Sequence, residues 1–78
     1  MRKLKLIWDF RGPHAIKIAE HHNIHLKEYS IAEQLDLKIT GFKSLSNIYA
    51  IAYIVVNESE MPKVRDALKP HRGELYQE

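Results

Sequence analysis

An uninterrupted apolar run at residues 48–56 constrains the fold of this chain more than any other sequence feature. It reads Ile-Tyr-Ala-Ile-Ala-Tyr-Ile-Val-Val, so both alternating sets of side chains are apolar. The run is far shorter than the roughly 20 residues that a membrane-spanning helix needs. Its β-branched and aromatic residues favour a strand that is buried on both faces. We therefore expect a sheet with residues 48–56 near its centre.

Patterns on either side of this run predict the other elements. Residues 3–10 alternate between apolar and polar side chains, which is typical of a half-buried strand. Residues 14–35 contain neither Gly nor Pro and have helical periodicity. A second strand is expected at 36–43, a hairpin turn at 44–47, a short helix at 60–69 and an edge strand at 71–77. The predicted order is β-α-β-β-α-β.

The faces of the first helix and of the third strand follow from the same periodicity. At about 100° per residue, the apolar face of the helix is predicted to hold Ala15, Ile18, Ala19, His22, Leu26 and Tyr29. The opposite, solvent-facing side is predicted to hold Lys17, Glu20, Asn23 and Lys27. Small alanines suit close packing under a helix, so the core-facing set of the third strand is expected to be Ile48, Ala50, Ala52, Ile54 and Val56.

This order of elements resembles the ferredoxin-like superfamily, which includes ACT domains, RNA-recognition motifs and dimeric α+β barrel proteins. The resemblance is at the level of the fold and covers residues 1–78 as a single α+β domain. It implies a four-stranded antiparallel sheet in the order 4-1-3-2, with both helices on one face. No catalytic residue is carried over, because likeness of fold assigns no activity.

Composition narrows the class of protein. The chain has 78 residues and no Cys, so it holds neither a disulfide nor a thiolate metal site. Domains this small often gain stability by oligomerising. The lack of Cys fits a reducing compartment, and we expect a cytoplasmic protein without a signal peptide or membrane segment. A net charge of +2 is low for a nucleic-acid-binding protein.

The helix-free face of the sheet is the predicted homodimer interface. We expect it to carry a contiguous apolar set consisting of Ile7, Tyr49, Ile51, Tyr53 and Val55. An apolar patch this large favours face-to-face packing of two sheets. RNA stacking on the two tyrosines is the alternative for this face, but the Lys/Arg-Gly-aromatic start of the RNA-recognition motif is absent.

The histidines suggest two further sites. His21 and His25 are four residues apart, a spacing that lets two imidazoles share one metal ion, and Glu28 is a candidate third ligand. Solvated imidazoles are the alternative interpretation. His22 is expected to face the sheet near Trp8, with Tyr29 as a hydrogen-bond partner. Because some dimeric α+β barrel proteins bind haem or oxidise aromatic substrates there, the resemblance implies a haem or aromatic-ligand pocket at these residues.

The fold also brings one end of the first strand close to the start of the last. There Arg11, His14, His71 and Arg72 are expected to surround the beginning of the first helix, which favours a phosphate or carboxylate ligand. The alternative is structural, with Arg11 or Arg72 pairing with Asp9 or Glu74, and His71 capping the second helix.

Together these features predict a homodimeric ligand-binding or regulatory module with a small anionic ligand. Two alternatives remain open: a small enzyme of the dimeric α+β barrel kind with its pocket at His22 and Trp8, and a protein-interaction module that uses the apolar sheet face. The sequence leans away from an enzyme, and no motif requires a cofactor, although a divalent metal or haem has the candidate residues named above.

Overall fold

Two helices pack against one face of a four-stranded antiparallel sheet in the computed structural model, which describes residues 2–77. The elements, in chain order, are β1 Lys3–Arg11, α1 Ala15–Ala32, β2 Ile39–Ser46, β3 Tyr49–Asn57, α2 Met61–Leu68 and β4 Arg72–Leu75. A short 3₁₀ turn, Glu58–Glu60, leads into α2. Within these residues, neither helix is long and apolar enough to cross a membrane.

The strands lie in the order β2-β3-β1-β4, which is the predicted order 4-1-3-2 viewed from the other edge. Residues 49–56 of the apolar run lie in β3, one of the two central strands. This strand pairs with β1 along its whole length, from Arg11 opposite Tyr49 to Lys3 opposite Asn57. This arrangement is compatible with the ferredoxin-like resemblance.

Several predicted boundaries are wrong by a few residues. The second strand starts at Ile39 rather than at residue 36, and it extends to Ser46. The hairpin turn consequently falls on Asn47 and Ile48, and a bulge between Ser44 and Ser46 shifts the register there. Ile48 is therefore outside the core and is 61% exposed. The serines at 44 and 46 favoured a turn by composition, but pairing with β3 holds them in a strand.

The core lies between α1 and the centre of the sheet, and four alanines bring the two layers together. Ala15 and Ala19 of α1 and Ala50 and Ala52 of β3 are all completely buried. Larger side chains fill the space around them: Leu6, Trp8, Leu26, Leu35, Ile54, Val56 and Val64. Gly12, with φ of 120°, makes the tight turn that carries the chain from β1 onto this layer.

The buried face of α1 is rotated from the predicted one. Ala15, Ala19 and Leu26 are buried as expected, but Asn23 and Ser30 are also buried, although Asn23 was predicted to face solvent. Ile18, predicted to face the sheet, is 48% exposed. The cause lies in the placement of α1, which packs mainly across β3 and β2, so the side of the helix nearest β2 becomes buried.

On the helix-free face, long side chains of the same chain cover the apolar residues. Ile7, Ile51 and Val55 are 1%, 6% and 0% exposed. The ring of Tyr53 lies across Gly41, where a Cβ atom would come within 2.5 Å of the tyrosine hydroxyl. This close approach requires a glycine at position 41, and the Tyr53 ring covers β2 there.

Two cations complete this cover. Lys5 Nζ lies 4.4 Å from the centre of the Tyr53 ring, and the Arg11 guanidinium carbon lies 4.0 Å from the centre of the Tyr49 ring. The face-to-face dimer stays a prediction, but one chain alone already buries three of its five interface residues. The two tyrosine faces on which RNA bases were to stack are likewise in contact with cations.

We expect Ala19→Leu to lower the free energy of unfolding by about 1–3 kcal/mol, because the added atoms force α1 away from β3. Ala32→Leu is the matched control, since Ala32 is an exposed residue at the end of the same helix. It should change stability by no more than about 0.5 kcal/mol. Urea denaturation of both variants measures the difference, and equal effects would contradict the close packing described above.

Candidate functional site

Asp9 joins three strands on the helix-free face of the sheet. Its carboxylate accepts two hydrogen bonds from Arg72 of β4, from Nε and Nη2, each 3.1 Å long. It also accepts a hydrogen bond from the Tyr49 hydroxyl of β3. The paired Arg72 and then Tyr49 hold the pKa of Asp9 below its ordinary value. The carboxylate is therefore ionised at neutral pH and neutralises Arg72.

Three of the four residues predicted to form an anion site lie around Asp9, either in direct contact with it or through Tyr49. Arg72 is paired with Asp9 and lies 3.7 Å from Glu74, as in the structural alternative. Arg11 stacks on Tyr49. His71 Nδ1 accepts a 2.9 Å hydrogen bond from the backbone N–H of Asp9, and His14 is an exposed residue at the start of α1 with no side-chain capping bond. An anion at this edge stays a prediction, and the Asp9 carboxylate is already paired with Arg72.

The predicted pocket at His22 is filled by direct ring contacts. The ring centres of Trp8 and His22 are 4.8 Å apart, and those of Phe10 and His22 are 5.5 Å apart. Trp8 Nε1 donates a hydrogen bond to the carbonyl of Leu68, which ties β1 to the end of α2. His22 Nε2 is buried with no hydrogen-bond partner, so the expected bond to Tyr29 is not formed. These rings contact one another directly, and a haem or aromatic-ligand pocket at Trp8, His22 and Tyr29 stays a prediction.

The exposed pair of histidines on α1 adopts part of the predicted metal geometry. The Nε2 atoms of His21 and His25 are 3.0 Å apart. Glu28, however, lies 3.4 Å from Nδ1 of His25, on the other side of that ring. It is therefore placed to orient His25 rather than to join the two nitrogens as a third ligand. No group of three or more metal-ligating side chains occurs among residues 2–77.

A groove that no sequence pattern indicated lies between α2 and the β1–β4 pair. Its volume is about 450 Å³, and we call it the α2–β4 groove. Its apolar wall consists of Leu4, Leu6, Met61, Pro70 and Leu75. The backbone of β4 closes one side. Three arginines line the groove: Arg2, Arg65 of α2, and Arg72 of β4, which is paired with Asp9.

The groove exists because α2 is shorter than the strands it covers. α2 has 8 residues and β1 has 9. At about 1.5 Å per helical residue and 3.3 Å per strand residue, the helix spans less than half the length of β1. Val64 is fully buried, but Leu75 at the far side of the groove is 52% exposed. The short second helix was predicted, and its length was the signal from which uncovered sheet could have been inferred.

Gly73 gives this groove part of its depth. A Cβ atom at this position would lie 3.2 Å from Cδ2 of Leu6, in the apolar wall. A larger residue there would push against the wall and fill the space beside it. Because Gly73 has no side chain, the space above β4 stays open at this point of the groove.

Folding stability should decrease as the pH falls below about 6.5, because burial lowers the pKa of His22 below that ordinary value. Nearby His25, His71 and His21 act in the same direction. Below pH 6.5 the unfolded chain binds a proton at residue 22 that the folded chain does not yet bind, so protonation favours unfolding. His22→Phe keeps the ring packing and should reduce this dependence, as measured by urea denaturation between about pH 5 and 7.5.

The matched control for this prediction is His14→Phe, which replaces an exposed histidine and leaves His22 in place. It should retain the decrease seen in the unchanged chain. An identical pH dependence in the His22→Phe variant and the unchanged chain would show that burial of this ring does not control acid stability.

A comparison with known proteins finds no matching protein-family model, no similar curated protein and no similar solved structure. What this chain does is therefore inferred from the chemistry of its own residues.

Proposed function

We propose that this chain is a small ferredoxin-like binding module whose α2–β4 groove takes a ligand with an apolar body and an anionic head. The observation that carries the proposal is an apolar wall beside Arg2 and Arg65, two of the three arginines that line a volume of about 450 Å³. Pockets for small molecules have volumes of about 300–1,000 Å³ and combine mostly apolar walls with few polar groups. The anionic ligand predicted from the sequence is thus kept, but it is assigned to different residues.

The two arginines are free to change partners. Arg2 lies 3.4 Å from Glu58, and both side chains are more than half exposed. Arg65 bonds to its neighbour Asp66 at 3.2 Å, again with both side chains more than half exposed. Exposed ion pairs of this kind contribute at most about 1 kcal/mol. A carboxylate or phosphate held by the apolar wall competes with them readily, because it is kept close to the guanidinium groups.

The chemistry of the groove supports binding rather than catalysis. None of the residues that line it is Ser, Thr, Cys, His or Lys. Glu74 is the acidic residue at the groove, and it pairs opposite Lys5, so its side chain points to the helix-free face. A nucleophile or general base is thus missing from this wall, whereas shape and charge for recognition are present.

The proposal is tested by titrating decanoate and naphthoate into the full chain by calorimetry or NMR, with decanol as the uncharged analogue. We expect both carboxylates to bind and to shift resonances of Leu4, Leu6 and Leu75, and decanol to bind at least tenfold more weakly. Arg65→Gln should weaken carboxylate binding by about tenfold, since a hydrogen bond to a charged group contributes about 1.5–3 kcal/mol.

Two variants control for charge and for shape. Arg11→Gln removes the same charge from the helix-free face and should leave the affinity unchanged. Gly73→Val fills the groove and should weaken both carboxylates while the protein stays folded by circular dichroism. Equal affinity for decanoate and decanol, or equal losses in Arg65→Gln and Arg11→Gln, would contradict an anion-selective groove.

A further inference from the structure

Helix α1 carries a second apolar stripe that the other elements within residues 2–77 leave exposed. Ile16, Ile24 and Ile31 are 40%, 50% and 64% exposed. At about 100° per residue, they fall within an arc of about 80°, and Glu20 and Lys27 fall in the same arc. We call these five residues the α1 seam. A helix that is apolar on two sides usually packs on two partners, and the sheet accounts for only one of them.

The seam faces away from the site described above. His22, which packs on Trp8 and Phe10 of β1, lies about 120° around the helix from Ile16. The seam therefore points to the β2 side, beyond the edge of the sheet. Phe42, whose strand neighbour Ala52 faces the helices, is 38% exposed on that side and extends the apolar surface.

The order of residues along the seam is symmetric. Ile16 and Ile31 are equally far from the point between Asn23 and Ile24, and so are Glu20 and Lys27. The steps along the seam are four, four, three and four residues, which is the spacing of helices that pack side by side. Within residues 2–77, neither Glu20 nor Lys27 forms a side-chain ion pair, so both charges are available to a partner.

From this symmetry we propose that α1 pairs with α1 of a second copy of this chain, antiparallel, about a two-fold axis beside Ile24. Ile16 then contacts Ile31 of the partner subunit, and Glu20 faces Lys27 of the partner subunit. A parallel pair in register would instead place Glu20 opposite its own copy, and Lys27 likewise. Charge complementarity thus selects a second copy and also its direction.

The test is the mass of the full chain by light scattering and analytical ultracentrifugation, from micromolar to millimolar concentration. We expect a species near twice the 9.2 kDa of one chain. Ile24→Glu places two carboxylates at the axis and should raise the dissociation constant at least tenfold. Ile18→Glu is the matched control, because Ile18 lies on the same helix at 48% exposure but outside the seam, and it should leave the dimer intact.

A charge exchange tests the direction of pairing. Glu20→Lys and Lys27→Glu each place like charges opposite one another and should weaken the dimer, whereas the two changes together should restore it. Circular dichroism confirms that each variant is folded. A monomeric wild-type chain, a dimer indifferent to Ile24→Glu, or a double variant weaker than either single variant would overturn the proposal. A dimer that Tyr53→Glu abolishes and Ile24→Glu does not would instead assign the interface to the helix-free sheet face.

Discussion

The close contact between α1 and β3 is the constraint on which the rest of the structure depends. Ala15 and Ala19 of α1 and Ala50 and Ala52 of β3 belong to the same core cluster, with no exposed surface left on any of the four. Small side chains let the helix lie close to the sheet, and a close-packed interior leaves little freedom for the helix to rotate or shift. The position of α1 on the sheet therefore also determines which of its residues face solvent.

The two faces of the sheet consequently differ in what covers them. On the helix-free face, Asp9 binds Arg72 and Tyr49, while Lys5 and Arg11 cover the two tyrosine rings. Asp9 and Arg72 neutralise each other there, and Lys5 and Arg11 shield the apolar residues of this face. The opposite face has the α2–β4 groove, because a helix of 8 residues leaves part of the sheet uncovered. The groove that we propose for ligand binding therefore lies where the covering helix is too short.

Local patterns predicted the architecture well, and they failed where three-dimensional position decided the result. The apolar run at residues 48–56 correctly placed β3 in the centre of the sheet, since a strand with apolar residues on both faces must be covered on both. The helical periodicity found α1 but misjudged its orientation: Asn23 is 7% exposed and Ile18 is 48% exposed. Both residues flank the alanine stripe, and periodicity alone does not say on which flank the neighbouring strand lies.

Candidate sites were harder to predict because each needs several elements to converge. The spacing of four residues along a helix does bring His21 and His25 together, and metal binding by this pair stays a prediction. Arg11, His14, His71 and Arg72 were assigned to one end of the sheet, but strand alternation sends Arg11 and Arg72 to the face away from the helices, where Asp9 occupies Arg72. The groove residues form no pattern of their own, because they come from distant parts of the chain, and only the shortness of the second helix indicated uncovered sheet.

The sequence by itself determined the order of the elements, the central strand and which side chains of an element lie on the same side of it, because these follow from periods of 2 and 3.6 residues. Only the tertiary structure decided which flank of α1 is buried, which arginines line the groove, and where the sheet stays uncovered by a helix. Those outcomes depend on the lengths and relative placement of elements far apart in the chain, which no local period encodes.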